Sequence, residues 1–186
     1  QIEALNIPSE FEIIPSGEIE SRQESFGGIG TAILIAIFGV FSILILEFRT
    51  FKSTLIVLSV IPLGIMGGLI MLYLTGYTLS FAAAIGFVAL IGIEIKNSIL
   101  LVDFTNQLRE KGIGLDEAIL KAGEIRFVPV ILTALTAIGG LLPIALGNSN
   151  LYSPLAWVII GGLISSTLMS RLITPVMYKL LPPKYG

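Results

Sequence analysis

The sequence contains no cysteine and no histidine, and only 13% of its 186 residues are charged. The absence of cysteine excludes disulfide bonds and thiolate metal sites, and the absence of histidine excludes imidazole catalysis and the usual zinc sites. Hydrophobic residues make up 54% of the chain, which leaves too few polar side chains to cover a soluble domain of this length. The composition therefore predicts an integral membrane protein, with the lipid bilayer and not nucleic acid as its partner.

Five apolar runs are long enough to cross a membrane as helices, since a bilayer core of about 30 Å requires about 20 helical residues. The fourth run opens with Pro129 in what would be its first turn, where proline is tolerated. The predicted fold is an all-α membrane domain over residues 26–181, with transmembrane helices at residues 26–46, 55–74, 79–104, 127–146 and 155–181.

The regions outside the apolar runs differ from one another. Residues 1–25 are polar, acidic and interrupted by prolines, and their alternation predicts the last strand of an extracytoplasmic domain. Residues 115–125 predict a short amphipathic helix at the cytoplasmic interface, with Lys121 and Arg126 towards the headgroups, or a solvated connector. Residues 182–186 predict a cytoplasmic tail. Because the chain opens on Gln1, we interpret it as a piece of a longer polypeptide.

The charges of the loops predict the orientation of the bundle. Residues 1–25 and the two short turns on the same side hold one cation, Arg22, against six glutamates. By the positive-inside rule, the opposite side is cytoplasmic and residues 1–25 are extracytoplasmic. The cytoplasmic side collects Arg49, Lys52, Arg109, Lys111, Lys121, Arg126, Lys179 and Lys184.

The third apolar run contains Lys96 near its middle, where a charged side chain costs roughly 3 kcal/mol or more. Small residues precede it at helical spacing, and such residues allow another helix to approach closely. We therefore expect Lys96 to lie on a packed seam, either as a functional group or in an ion pair that only holds helices together. The residues of this stripe are Ala82, Gly86, Ala89, Gly92 and Lys96.

Three polar residues accompany Lys96 in the same run. Asn97 adds an amide beside it, and Asp103 lies seven residues further on the same face, as a network member or an interfacial end charge. Glu94 is about 200° around the helix from Lys96, so the two side chains do not pair directly. Glu94 must therefore find a partner on another helix or carry a proton.

The fourth and fifth runs contain further polar side chains. Thr133 would offer a hydroxyl to a polar network or bond back to its own helix, and Arg126 lies just before the run. The fifth run carries hydroxyls at Ser165, Ser166, Thr167 and Ser170, followed by Arg171. Arg171 would join a network or extend to the cytoplasmic headgroups.

Several of these segments resemble one family. GIEIKNSILLVDFTNQLREKG, IRFVPVILTALTAIGGLLPIAL and GGLISSTLMSRLITPVMYKLLP resemble the carboxy-terminal membrane segment of resistance–nodulation–division (RND) efflux permeases. The five helices would be the last five of a twelve-helix permease in the bacterial inner membrane. The resemblance implies a proton-driven pump for drugs, without an organic or metal cofactor, that assembles as a homotrimer with a periplasmic adaptor and an outer-membrane channel.

The resemblance also implies roles for individual residues. Lys96 would be the relay lysine that pairs with an aspartate pair in the amino-terminal part of the permease, and Asn97 follows it as in many members. Thr133 and Arg126 would occupy the threonine and arginine positions of the proton relay. Asp103 falls where the family often has an acid, whereas Glu94 has no position common to all branches. The Lys96–Asn97 pair resembles the hydrophobe and drug branch more than the heavy-metal branch.

Two other interpretations stay open on the sequence alone. In the first, the chain is a non-transporting helical bundle or an orphan fragment, and its buried charges only fix the packing of the helices. It would otherwise belong to the protein-translocation accessory branch of the same superfamily, whose corresponding helix usually carries aspartate near the Lys96 position. An enzyme is not expected.

Overall fold

A computed structural model of the chain describes residues 29–183, which form a bundle of helices. In chain order these are α1 (Ile29–Phe48), α2 (Phe51–Leu58), α3 (Ile61–Thr75), α4 (Phe81–Glu110), α5 (Leu115–Leu146) and α6 (Ser153–Leu180). The predicted all-α membrane fold is confirmed over this range. The predicted strand in residues 1–25 and the end of the tail, residues 184–186, lie outside the described residues.

Within residues 29–183, four segments have the length and apolarity needed to cross a membrane. They are Phe51–Thr75, Phe81–Glu110, Leu115–Leu146 and Ser153–Leu180, and α1 contributes a shorter apolar stretch, Leu34–Phe48. The first of these segments, Phe51–Thr75, consists of α2 and α3, which are separate helices. Pro62 has no amide hydrogen to donate to the carbonyl of Leu58, and this missing bond accounts for the break.

The helix predicted at residues 115–125 is present, but it is not a separate element, because the same helix continues to Leu146 as α5. Ala118 and Ala122 are fully buried against Leu108 of α4, so this part of the amphipathic stripe packs on protein. Pro129 consequently lies inside α5 and not in a first turn. The polar residues near 124–126 lower the hydropathy without interrupting the helix, since glutamate and arginine are good helix formers.

Helix α6 occupies the centre of the bundle and packs against α3, α4 and α5. It approaches the backbone of α3 closely, and a Cβ atom added to Gly161 would lie 2.6 Å from the carbonyl oxygen of Gly67. A separation this short is available only to glycine, as in other membrane helix pairs that meet through small residues. The contact fixes α6 against α3 and so positions the polar residues in the second half of α6.

Two of the loop cations, Lys52 and Arg109, lie together at one end of the bundle. Lys52 Nζ donates a hydrogen bond to the carbonyl of Pro182 at 3.3 Å. Arg109 Nη1 donates to the carbonyl of Pro183 at 3.1 Å. The start of α2, the end of α4 and the chain beyond α6 are therefore neighbours, as alternating membrane crossings require.

Candidate functional site

Two titratable residues lie on opposite faces of α4. Glu94 is buried, with 3% of its surface exposed, whereas Lys96 is exposed. Two helical steps rotate a side chain by about 200°, so a single neighbour cannot cover both residues. Helix α6 covers the face that carries Glu94, and among residues 29–183 nothing covers the face that carries Lys96.

The predicted packed seam along α4 is present in its first part, whereas at Lys96 no helix of residues 29–183 packs on it. Ala82 and Gly86 are buried, and a Cβ atom on Gly86 would lie 2.9 Å from the carbonyl oxygen of Leu155 in α6. Further along, Gly92 has open space beside it and Lys96 is exposed. The seam with α6 follows another set of positions instead, namely Leu90, Glu94, Ser98, Val102 and Thr105, which are all buried.

Lys96 lies deep along its helix. It is fifteen residues beyond the start of α4 at Phe81, a rise of roughly 22 Å, which falls inside a hydrocarbon layer of about 30 Å. No hydrogen bond or ion pair of Lys96 is found among residues 29–183. Its ammonium group therefore points away from the described bundle at membrane depth.

Glu94 has a hydrogen-bond partner on another helix, which is one of the two alternatives expected from the sequence. The hydroxyl of Ser166 in α6 lies within hydrogen-bond distance of Glu94 Oε1. On the other side, a Cβ atom added to Gly64 of α3 would lie 3.5 Å from Glu94 Cγ. Glu94 is thus enclosed between α3, α4 and α6, and in the described part of the chain no cationic side chain forms an ion pair with it.

A cavity of about 60 Å³ lies between α4, α5 and α6, on the side of Glu94 that faces the cation-rich end of the bundle. Its wall combines acidic, basic, amide and hydroxyl side chains. The polar residues that line it include Glu94, Asn97, Ser98, Arg126, Arg171 and Thr174. Thr174 is 2% exposed, and its Oγ1 has no hydrogen-bond partner among the described residues.

Both arginines of this cavity stack on phenylalanine rings. The guanidinium carbon of Arg126 lies 4.9 Å from the centroid of the Phe104 ring, and that of Arg171 lies 3.7 Å from the centroid of Phe127. The Nε atom of Arg126 is buried without a hydrogen-bond partner in the described range. Stacking holds the two cations at the cavity wall while leaving donors available to water or an anion.

Thr133 and Asp103 do not line this cavity. The Thr133 hydroxyl donates to the carbonyl of Pro129 in its own helix at 2.8 Å, and the residue is exposed. Asp103 accepts a hydrogen bond from Gln107 Nε2 at 2.8 Å, one turn along α4. Both hydrogen bonds lie within the residue's own helix, and for Thr133 this is the backbone bond that the sequence offered as one alternative.

The structure therefore brings together only part of the predicted site. Arg126, Asn97 and Glu94 share one cavity, whereas Lys96, Thr133 and Asp103 lie outside it. Ser166 was missed as a site residue. The available signal was its place in a run of hydroxyl side chains within an apolar helix, but hydroxyls in such helices commonly bond to their own backbone.

Comparisons with known proteins agree on one family. The sequence profile of the AcrB/AcrD/AcrF family matches residues 1–182. The swarming motility protein SwrC of Bacillus subtilis (strain 168) is 37% identical over 97% of the chain. The cobalt-zinc-cadmium resistance protein CzcA of Cupriavidus metallidurans is 34% identical over 95%, and the multidrug resistance protein MdtC of Erwinia tasmaniensis is 36% identical over 95%.

A solved structure shares the arrangement of the helices. The crystal structure of a heavy metal efflux pump, in its crystal form II, superposes with a TM-score of 0.81 and 30% identity over 95% of the chain. The chain spans only 18% of that protein and 17% to 18% of the three curated relatives. The similarity thus covers one segment of each of these much longer proteins.

Proposed function

Because the chain belongs to the AcrB/AcrD/AcrF family of RND efflux permeases, we propose that it forms the last five membrane helices of a proton-driven multidrug efflux permease. In this role the chain carries part of an intramembrane proton relay and does not transport substrate by itself. The remaining amino-terminal part would supply the other membrane helices, the aspartate pair and most of the substrate-handling domains. Protons would be the coupling ion, with no organic cofactor.

The observation that carries this proposal is the exposure of Lys96 at membrane depth. An ammonium group left in lipid would cost roughly 3 kcal/mol or more, and residues 29–183 offer it no acid. The cost is removed if helices outside this chain place a carboxylate opposite Lys96. Protonation of that carboxylate would weaken its attraction for the ammonium and release the lysine towards other partners.

The other relay residues would act at different points. Arg126 and Asn97 line the cavity towards the cation-rich end, so they would serve the cytoplasmic end of the proton path. Thr133 would act by exchanging its hydrogen bond to Pro129 for one to a partner outside the chain. The inner membrane is the proposed location, with residues 1–25 periplasmic, the carboxy terminus cytoplasmic, and a homotrimer, an adaptor and an outer-membrane channel as partners.

The test uses the full-length permease that carries this segment, expressed in cells that lack other pumps. Lys96→Ala should reduce drug efflux to the level of cells without the permease, while the protein stays inserted and trimeric. Lys121→Ala is the matched control, since Lys121 is an exposed lysine on the cytoplasmic part of α5 and should retain activity. Full efflux by Lys96→Ala would refute the proposal.

Metal-ion efflux is a second candidate, favoured by the similarity to CzcA and to the heavy metal efflux pump. The same cells decide between the candidates if accumulation of an organic dye and of zinc are both measured. The multidrug proposal expects the wild-type permease to lower dye accumulation only. A decrease in zinc alone would assign the chain to metal-ion efflux.

A further inference from the structure

Glu94 is a buried acid that the proposed relay does not use. It lies on the opposite face of α4 from Lys96, and it does not occupy a position to which the family resemblance assigned a role. Its surroundings are the backbone of α3 at Gly64, the side chain of Leu90 and the hydroxyl of Ser166. Burying a carboxyl group in such apolar surroundings costs free energy unless its hydrogen bonds are made.

The hydrogen bonds around Ser166 indicate how this cost is met. The Ser166 hydroxyl lies within hydrogen-bond distance of both Glu94 Oε1 and the carbonyl oxygen of Leu163, the latter at 3.3 Å. A hydroxyl has one hydrogen and cannot donate to two acceptors at once. If Glu94 carries a proton, the carboxyl donates to Ser166 Oγ and Ser166 donates to Leu163, so that both hydroxyl groups have an acceptor.

The cavity offers a path along which Glu94 could release a proton. Glu94 forms part of the cavity wall, and the volume of about 60 Å³ is enough for more than one water molecule. Such water has partners, since the buried Thr174 Oγ1 and Arg126 Nε atoms lack hydrogen bonds among the described residues. A short water chain would therefore run from Glu94 towards the cation-rich end of the bundle.

The charged groups around Glu94 would stabilise its ionised form once the cavity is hydrated. Arg126 faces the cavity from α5, and Arg171 faces it from α6. Helix α3 contributes no charged residue, and on α4 itself Lys96 and Asp103 lie outside the cavity wall. The carboxylate would thus exchange its bond to Ser166 for attraction to two arginines across water.

We propose that Glu94 and Ser166 form a second proton-binding site, separate from Lys96, which releases its proton through the cavity to the cytoplasm. In this step the O–H bond of the Glu94 carboxyl breaks and the proton passes to cavity water. The carboxylate stays within the field of Arg126 and Arg171. This inference rests on the proposed function, because a proton-binding site of this kind has a role only in a proton-coupled permease.

The experiment compares variants of the full-length permease in proteoliposomes, with substrate-driven proton release measured by a pH-sensitive dye. Glu94→Gln keeps a hydrogen-bonding group beside Ser166 but cannot release a proton. We expect fewer protons released per substrate and a loss of coupled transport at neutral cytoplasmic pH, because the variant has no carboxyl proton to release. Glu124→Gln, a change at an exposed acid of α5, is the matched control and should behave as wild type.

Infrared difference spectroscopy provides a readout that a structural role would not change. The wild-type permease should show a carboxylic C=O band that titrates, and Glu94→Gln should lack it. If Glu94→Gln fails to insert, Ser166→Ala is measured instead and should shift both this band and its midpoint pH. Unchanged proton release in Glu94→Gln, or an unchanged band in either variant, overturns the inference.

Failure of the inference is distinguishable from failure of the proposed function. If Lys96→Ala abolishes transport while Glu94→Gln matches wild type, the relay stands and Glu94 is a packing residue. If Lys96→Ala retains coupled transport, the proposed relay is refuted whatever the behaviour of Glu94.

Discussion

The two faces of α4 differ in packing although their residues are equally apolar. One face, through Leu90, Glu94 and Ser98, is buried against α6, whereas the other, with Gly92 and Lys96, is open in the described bundle. Each face carries one titratable group at nearly the same depth. The difference shows that a charged residue within a membrane helix can be buried by helices of the same chain or left exposed for a partner to cover. The depth of the residue along the helix does not distinguish these two cases.

The largest effect should come from exchanging the charges of the two faces. Glu94→Lys would bury an ammonium group against Gly64 and Leu90 without an acid, at a cost of about 3–5 kcal/mol, as for an unpaired buried charge. Lys96→Glu should change stability by only about 0.5 kcal/mol or less, because the site is exposed. The free energy of unfolding of the 186-residue chain in mixed micelles measures both. Equal losses would mean that the faces do not differ.

A smaller effect is expected from two leucines of the same helix. Leu90 is 0% exposed and Leu100 is 39% exposed. Leu90→Ala should cost about 2–4 kcal/mol, since it leaves a void beside Gly162, while Leu100→Ala should cost less than half of that. The same unfolding measurement gives both values. A larger loss for Leu100→Ala would contradict the assignment of the buried face.

The smallest effect should separate two glycines of the predicted seam. Gly86→Ala places a Cβ atom 2.9 Å from the Leu155 carbonyl oxygen and should destabilise the chain by about 1 kcal/mol or more. Gly92→Ala has open space and should be neutral or stabilise it by up to about 1 kcal/mol, because alanine favours the helix.

In the full-length permease, Gly92→Ala provides a sharper test of whether the open face of α4 is covered. Gly92→Ala should there reduce transport, because the proposed additional helices would cover the open face of α4. An unaffected permease would indicate that this face stays in contact with lipid. The wild-type permease serves as the control.

Much of the fold followed from hydropathy, since a run of apolar residues such as 79–104 closely predicts α4. Hydropathy did not show which face of each helix is buried against a neighbour. Glycine and alanine allow close approach but do not reveal whether a neighbour is present, so Gly86 and Gly92 are indistinguishable in sequence. The continuity of α5 was missed for a related reason, because the charged residues near Arg126 lower hydropathy while they support the helix.

Site residues could be predicted where a single residue is by itself unfavourable in free energy at its position in the sequence. Lys96 and Glu94 could be singled out because a charge at membrane depth is unfavourable wherever its helix packs. Their partners depend on which helices meet, and that information is spread over the whole bundle. Ser166 became identifiable only once Gly161 had fixed α6 against α3 and brought the next turn opposite Glu94.

The unbroken course of α5 has a consequence of scale. Its 32 residues form a helix of roughly 48 Å, about half as long again as the hydrocarbon core of a bilayer, which is roughly 30 Å thick. One continuous helix is therefore long enough to cross the hydrocarbon layer and extend beyond it, and Arg126 lies about a third of the way along this helix. A tilt imposed on the first third of α5 would therefore reach Arg126 along a continuous helix, because the proline of this region, Pro129, lies beyond the arginine.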